Sequence, residues 1–126
     1  MKLILAVAAG GAIGAVGRHY VGVYALKWLG AAFPYGTLTV NVVGSFLMGI
    51  LIALIGIKWN IGNELRAFLT VGLLGGFTTF SAFSLDFATL VERGEIVSAV
   101  GYVVASVILA LAGIFAGMHL MRALVT

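Results

Sequence analysis

The side chains able to do chemistry in this sequence lie inside apolar stretches: Arg18, His19, Asn41, Ser45, Thr78, Thr79, Ser81, Ser84, Asp86 and Ser106. Polar groups are costly to hold in hydrocarbon, so each of these is a functional hypothesis by default. The densest group is Phe80-Ser81-Ala82-Phe83-Ser84, with Phe77 and Phe87 extending the aromatic stripe. A Phe stripe on a membrane helix usually packs or meets lipid, but neither role needs interleaved hydroxyls. Aromatic rings carry a positive edge, so two Phe edges with hydroxyl and amide donors could solvate an anion. The set suits a small, hard, strongly hydrated anion that must exchange water for close donors. Asp86 opposes this unless it faces away, pairs with a cation or holds a proton.

Just before it, Gly75-Gly76 and Thr78-Thr79 make a poor continuous helix, since interior Gly costs about 1 kcal/mol and Thr is β-branched. Non-helical backbone at membrane depth survives only where it is buried in protein or lines a wet cavity. A broken helix is expected here, with freed carbonyls that can coordinate a small cation, as in discontinuous transporter helices. A phosphate-binding loop is excluded, because no Lys precedes Thr78 and no strand leads in. Asn41, with Ser45 one turn on, offers amide donors and an acceptor; its plain role is helix–helix glue, worth about 0.6 kcal/mol. Arg18 either marks a water-filled vestibule that attracts anions or snorkels to the headgroups. His19 has no second His or Cys nearby, so a metal role is set aside.

Apolar spans must position these residues. The 126 residues are 63% hydrophobic and 9% charged, without Cys, and the mean hydropathy is +1.22. A soluble domain is nearer half apolar and a quarter charged, so an ordinary soluble enzyme, a disordered tail and a disulfide module are excluded. The runs are continuous rather than alternating, which favours helices over an outer-membrane barrel. At roughly 20 residues per span, the chain holds four and forms a single unit over residues 1–126. The first span is expected at 3–29, retained rather than cleaved because it outruns a secretory apolar region. The turn Gly30–Pro34 follows, flanked by Trp28, Phe33 and Tyr35 as an interfacial belt. The second span runs Gly36–Ile57 and ends at Lys58-Trp59-Asn60. A third, interrupted segment covers about 64–91, then come the turn Glu92–Glu95 and a fourth span, 96–121.

Seven scattered Lys and Arg residues against four acids give a net charge of +3. Nucleic-acid binders cluster their basic residues, so nucleic acid is not expected as a partner. Lys2, Lys58 and Arg122 lie toward one side, joined by Arg66 if it falls at a span end; Lys27 and Arg93 lie toward the other, joined by Arg18 on the same condition. This near-even tally hardly selects an orientation, and copies inserted in opposite senses could pair as an antiparallel dimer. Four helices scarcely enclose a polar path, which also favours a second copy. Gly10/Gly14 and Gly113/Gly117 have spacings that allow close helix approach, either between subunits or within one.

Three motifs now carry a likeness: Gly10-Gly11-x-x-Gly14-x-x-x-Arg18; Gly36-Thr37-Leu38-x-Val40-Asn41-x-x-Gly44; and Gly72-x-x-Gly75-Gly76-x-Thr78-Thr79-Phe80-Ser81-x-Phe83-Ser84. With chain length and span number, they make the whole protein resemble the Fluc (CrcB) family of small dual-topology fluoride channels. The resemblance implies an all-α integral membrane protein of four transmembrane helices, the third broken, assembled as an antiparallel homodimer in the cell inner (plasma) membrane. It implies passive fluoride export that lowers cytoplasmic fluoride toxicity, with no enzymatic activity. It further implies two fluoride pathways, with Asn41, Phe80, Phe83, Ser81, Ser84, Tyr102 and Ser106 along each and Arg18 at the vestibule. A structural sodium ion at the dimer axis is implied, held by the Gly75 and Thr78 carbonyls of each subunit, and no organic cofactor. The chain departs from the family pattern at Ala82, where Thr is usual, at Asp86, where Glu is frequent, and at Ala110 and Ile114, which interrupt a row of hydroxyls after Ser106.

A small proton-coupled exporter of cationic compounds is the alternative. It needs a carboxylate in the first span, which has none and carries Arg18 instead. A non-transporting scaffold would use the glycines and hydroxyls for packing alone. No paired carboxylates or nucleophile–base pair suggest an enzyme.

Overall fold

The computed structural model describes residues 1–126, and the chain is helical throughout. Helix α1 spans Lys2–Leu29 and α2 spans Tyr35–Ile57. The third segment is composite: α3 (Asn63–Ala67), a π-helical stretch (Phe68–Leu74), the stub α4 (Gly75–Phe77) and α5 (Phe80–Glu92). Helix α6 spans Ile96–Val125. Four of these segments are long and apolar enough to cross a membrane, the composite third taken as Asn63–Glu92. The turns after α1 and α5 use glycine where L side chains are strained, at Gly30 (φ 83°) and Gly94 (φ 78°).

Glycines decide which helices meet. Helix α1 crosses the third segment backbone to backbone. A Cβ added at Gly72 would lie 2.8 Å from the Val7 carbonyl oxygen, and one at Gly76 would lie 2.8 Å from that of Gly11. A Cβ at Gly14 would strike the Leu73 carbonyl and lie 2.9 Å from the Phe77 nitrogen. Helix α2 packs along α6 in the same manner, with Gly49 against the Ile114 carbonyl and Gly117 against that of Phe46. Both expected glycine pairs are therefore engaged within one subunit, and they supply no argument for pairing between copies.

Few side chains are buried, and the largest fully enclosed ones are Tyr102, Leu90 and Val40. Leu90, Ala99 and Tyr102 form a small cluster under Phe33, Leu38, Phe83 and Phe87. Most large apolar side chains face outward, as a helix bundle in lipid requires. The charge tally also shifts. Arg66 lies on α3, next to the turn that holds Lys58. Arg18 is in the interior of α1, where its Nε donates to the Gly76 carbonyl. Lys2, Lys58, Arg66 and Arg122 then stand at one end against Lys27 and Arg93 at the other, four against two rather than near even.

Candidate functional site at the helix break

The break consists of two residues. Thr78 (φ −87°, ψ 160°) and Thr79 (φ −155°, ψ 126°) are extended between α4 and α5, a conformation that suits β-branched side chains. Each threonine closes one helix end. The Thr78 N–H and hydroxyl both donate to the Leu74 carbonyl, at 3.1 and 3.0 Å. The Thr79 hydroxyl accepts from the Ala82 N–H at 3.1 Å and so caps α5. Asn41 on α2 then grips the extended strand at two points. Its Oδ1 accepts the Thr79 N–H at 2.8 Å, and its Nδ2 donates to the Thr79 carbonyl at 3.0 Å. On the opposite flank Arg18 donates to Gly76 at 3.1 Å. Two side chains from α1 and α2 thus satisfy backbone groups that the break exposes, as buried peptide groups require.

A cavity of about 410 Å3 lies beside this strand, between α2, the break and α6. Asn41, Ser45, Thr78, Thr79, Phe80, Phe83 and Ser106 line its polar and aromatic side. The Ser106 hydroxyl is buried, with the residue only 7% exposed, and has no hydrogen-bond partner. Asn41 retains one amide hydrogen, because an NH2 group carries two and only one is engaged with Thr79. Two unengaged donors therefore belong to residues on this one cavity wall. Phe80 and Phe83 meet in a tilted pair at 5.5 Å between ring centroids, and Phe83 in turn meets Tyr102 at 5.1 Å, also tilted. The wall beyond Ser106 is apolar, formed by Val107, Ala110, Leu111 and Ile114.

The expected residues do not all converge. Asn41, Thr78, Phe80, Phe83 and Ser106 share the cavity, whereas Gly75 opens the stub α4 just before the break and is not part of the lining. Ser81 and Ser84 are exposed on α5 outside the lining; Ser84 donates to the Phe80 carbonyl at 3.1 Å, and Ser81 lies 3.5 Å from the Thr79 hydroxyl. Tyr102 reaches the site through its ring only. Its hydroxyl donates to the Asp86 carboxylate at 3.0 Å, which gives that acid a partner inside the bundle. Arg18 lines a separate cavity of about 320 Å3 with His19, Thr37 and Thr79. It is neither snorkelling nor free, being tied to the break. No group of three His, Cys, Asp or Glu side chains is placed to hold a metal. Sequence reasoning missed the capping role of Thr79 and the paired grip of Asn41. Thr before a helical run is an N-cap signal that could have revealed the first, but nothing local reveals a contact between residues 38 apart.

Fold and site together define a class: a small, four-span helical membrane protein with a donor-lined cavity at a broken helix. The comparison with known proteins makes this specific. Residues 5–118 match the family model described as CrcB-like protein, Camphor Resistance (CrcB), and the chain belongs to that family. It is 60% identical over 122 residues to a "Fluoride-specific ion channel FluC" of Rhodospirillum centenum, covering 97% of each chain. It is 54% identical over 125 residues to the protein of that name in Rhizobium meliloti, covering 99% of this chain and all of that one. It is 51% identical over 119 residues to the one in Nitrobacter winogradskyi, with 94% of each chain covered.

Proposed function

We propose that this chain is the subunit of a fluoride-selective channel that lets fluoride leave the cytoplasm passively and so lowers its toxicity. The observation that carries the proposal is the cavity beside the break, lined by Asn41, with its spare amide hydrogen, and by Ser106, with its unpartnered hydroxyl. Fluoride is small and tightly hydrated, and leaving water demands replacement donors at close range. Asn41, Ser106 and the positive edges of Phe80 and Phe83 supply them without a fixed full charge, so the ion is held and also released. Names of relatives at 51–60% identity over nearly the whole chain support the same ion. Nothing favours proton-coupled export of cations, since α1 holds no carboxylate.

The functional unit is an antiparallel homodimer in the plasma membrane. Phe80 is 78% exposed in the single subunit although it lines the cavity, and a second copy would cover it and complete the path. A structural sodium ion between the copies suits the donor set, because hard cations take oxygen ligands and the carbonyls of Gly75, at the start of α4, and Thr78, in the break, flank this turn. Bound there, it would offset the partial negative charge of the Gly75 and Thr78 carbonyls. Ser81, Ser84, Tyr102 and Arg18 then act around the path, by positioning rings and backbone, rather than on its wall.

Purified protein in liposomes loaded with fluoride, followed with a fluoride-selective electrode, tests the function. Rapid fluoride efflux with negligible chloride efflux is expected; fluoride loss no faster than from protein-free vesicles would refute it.

A further inference from the structure

The carbonyls of Gly75 and Thr78 have to be unengaged to take a cation, and the hydrogen bonds around them explain how they come to be so. In a continuous helix the N–H of residue i+4 bonds the carbonyl of residue i. The N–H that would close on Gly75 belongs to Thr79, and it is diverted to Asn41 Oδ1 at 2.8 Å. The N–H that would close on Thr78 belongs to Ala82, and it is diverted to the Thr79 hydroxyl at 3.1 Å. Backbone N–H groups outside the regular helices leave the Thr78 carbonyl untouched. The two neighbouring carbonyls, by contrast, are engaged: Gly76 accepts from Arg18 and Thr79 accepts from Asn41. The two oxygens engaged by side chains are ones the sodium reading does not use.

We infer that Thr79 is the positioning residue of the cation site, its side-chain oxygen keeping the Ala82 N–H off the Thr78 carbonyl while its own N–H, held by Asn41, stays off Gly75. This inference rests on the sodium reading above. Thr79 coordinates nothing itself. Its role is to hold two helical hydrogen bonds open, which no other hydroxyl here does: the Thr78 hydroxyl bonds backward to Leu74, and Ser84 bonds backward to Phe80. Without the hydroxyl, α5 can extend by one turn toward Thr78, and that carbonyl turns along the helix axis toward Ala82.

The test is the sodium dependence of thermal unfolding of the purified protein in detergent, with N-methylglucamine chloride keeping ionic strength constant. The wild type is expected to be stabilised by sodium in a saturable way. Thr79→Val keeps the branched shape and removes the acceptor, so its half-saturating sodium concentration should rise about tenfold, the scale of one net hydrogen bond. Thr79→Ser and Thr79→Asn, which keep a capping acceptor, should respond like the wild type. Ala82→Pro deletes the competing N–H in the first turn of α5, where proline is tolerated, so Thr79→Val/Ala82→Pro should recover the wild-type sodium response. Should Thr79→Val yield no protein, Thr79→Ala and its Ala82→Pro double variant make the same comparison. A Thr79→Val protein with unchanged half-saturating sodium would overturn the inference and leave the sodium reading intact, as would failure of Ala82→Pro to restore it. A wild type indifferent to sodium would overturn both.

Discussion

Two regions of this molecule are built from the same ingredients and used in opposite ways. Where α1 crosses the π-helical stretch, glycine meets glycine, and a Cβ on Gly10 would lie 2.8 Å from the Leu73 nitrogen. At the break, side chains from α1 and α2 reach the backbone of the third segment through hydrogen bonds at 2.8–3.1 Å. The first region has no donor to offer an ion; the second has donors in excess of what the fold consumes. The glycine crossing holds the third segment rigidly on one side, so the break can stay open on the other. The π-helical stretch belongs to this division. Such stretches occur mostly as single-turn bulges and often near functional sites; here only the three-residue stub α4 separates it from the break.

This contrast can be broken most forcefully at Gly14. Gly14→Val places a side chain into the Leu73 carbonyl and is expected to cost roughly 3 kcal/mol or more by overpacking, so little monodisperse protein should elute in detergent gel filtration. Gly101→Ala, where nothing lies within 4 Å of the added carbon, should behave as the wild type. Next in size is Asn41→Leu. It strands the Thr79 N–H and carbonyl, costing about 2 kcal/mol or more, and it removes a cavity donor. Both the thermal midpoint and the fluoride efflux rate should fall.

Tyr102→Phe is a smaller change, since the ring stays on Phe83 and only the bond to Asp86 is lost; about 1 kcal/mol of destabilisation is expected. Ser106→Ala sharpens the comparison from the other side. Its hydroxyl has no partner within the subunit, so the thermal midpoint should hold or rise slightly, while fluoride efflux should drop about tenfold for one lost donor. A donor that serves only the ion should separate flux from stability in this way; one that serves the fold cannot.

Much of this was legible in the sequence, for reasons that differ by element. The spans followed from continuous apolarity, and α2 starts at Tyr35 against an expected Gly36. Helix α6 runs to Val125 rather than 121, because Arg122 continues the helix instead of ending it. The break was visible in Gly75-Gly76 and Thr78-Thr79 because both residue types weaken a helix locally. What was not legible depended on contacts between distant residues. Spacing shows that Gly10 and Gly14 share a face, but not that the face is filled by the chain's own third segment. A serine-rich stripe suggests a polar path, yet Ser84 bonds its own helix and it is Ser106 on α6 that carries the buried free hydroxyl. Arg18 read equally well as a vestibule or an anchor until its bond to Gly76 was seen.

The central claim is that fluoride passes through the cavity between α2, the break and α6. The chain contains no cysteine, so Ala110→Cys puts a single thiol per subunit in that cavity's wall. Val104→Cys puts one on the half-exposed outer surface of the same helix instead. Fluoride efflux from liposomes should be blocked by a methanethiosulfonate reagent in Ala110→Cys and unaffected in Val104→Cys. Unchanged efflux from Ala110→Cys protein shown by mass spectrometry to be fully labelled would contradict the account.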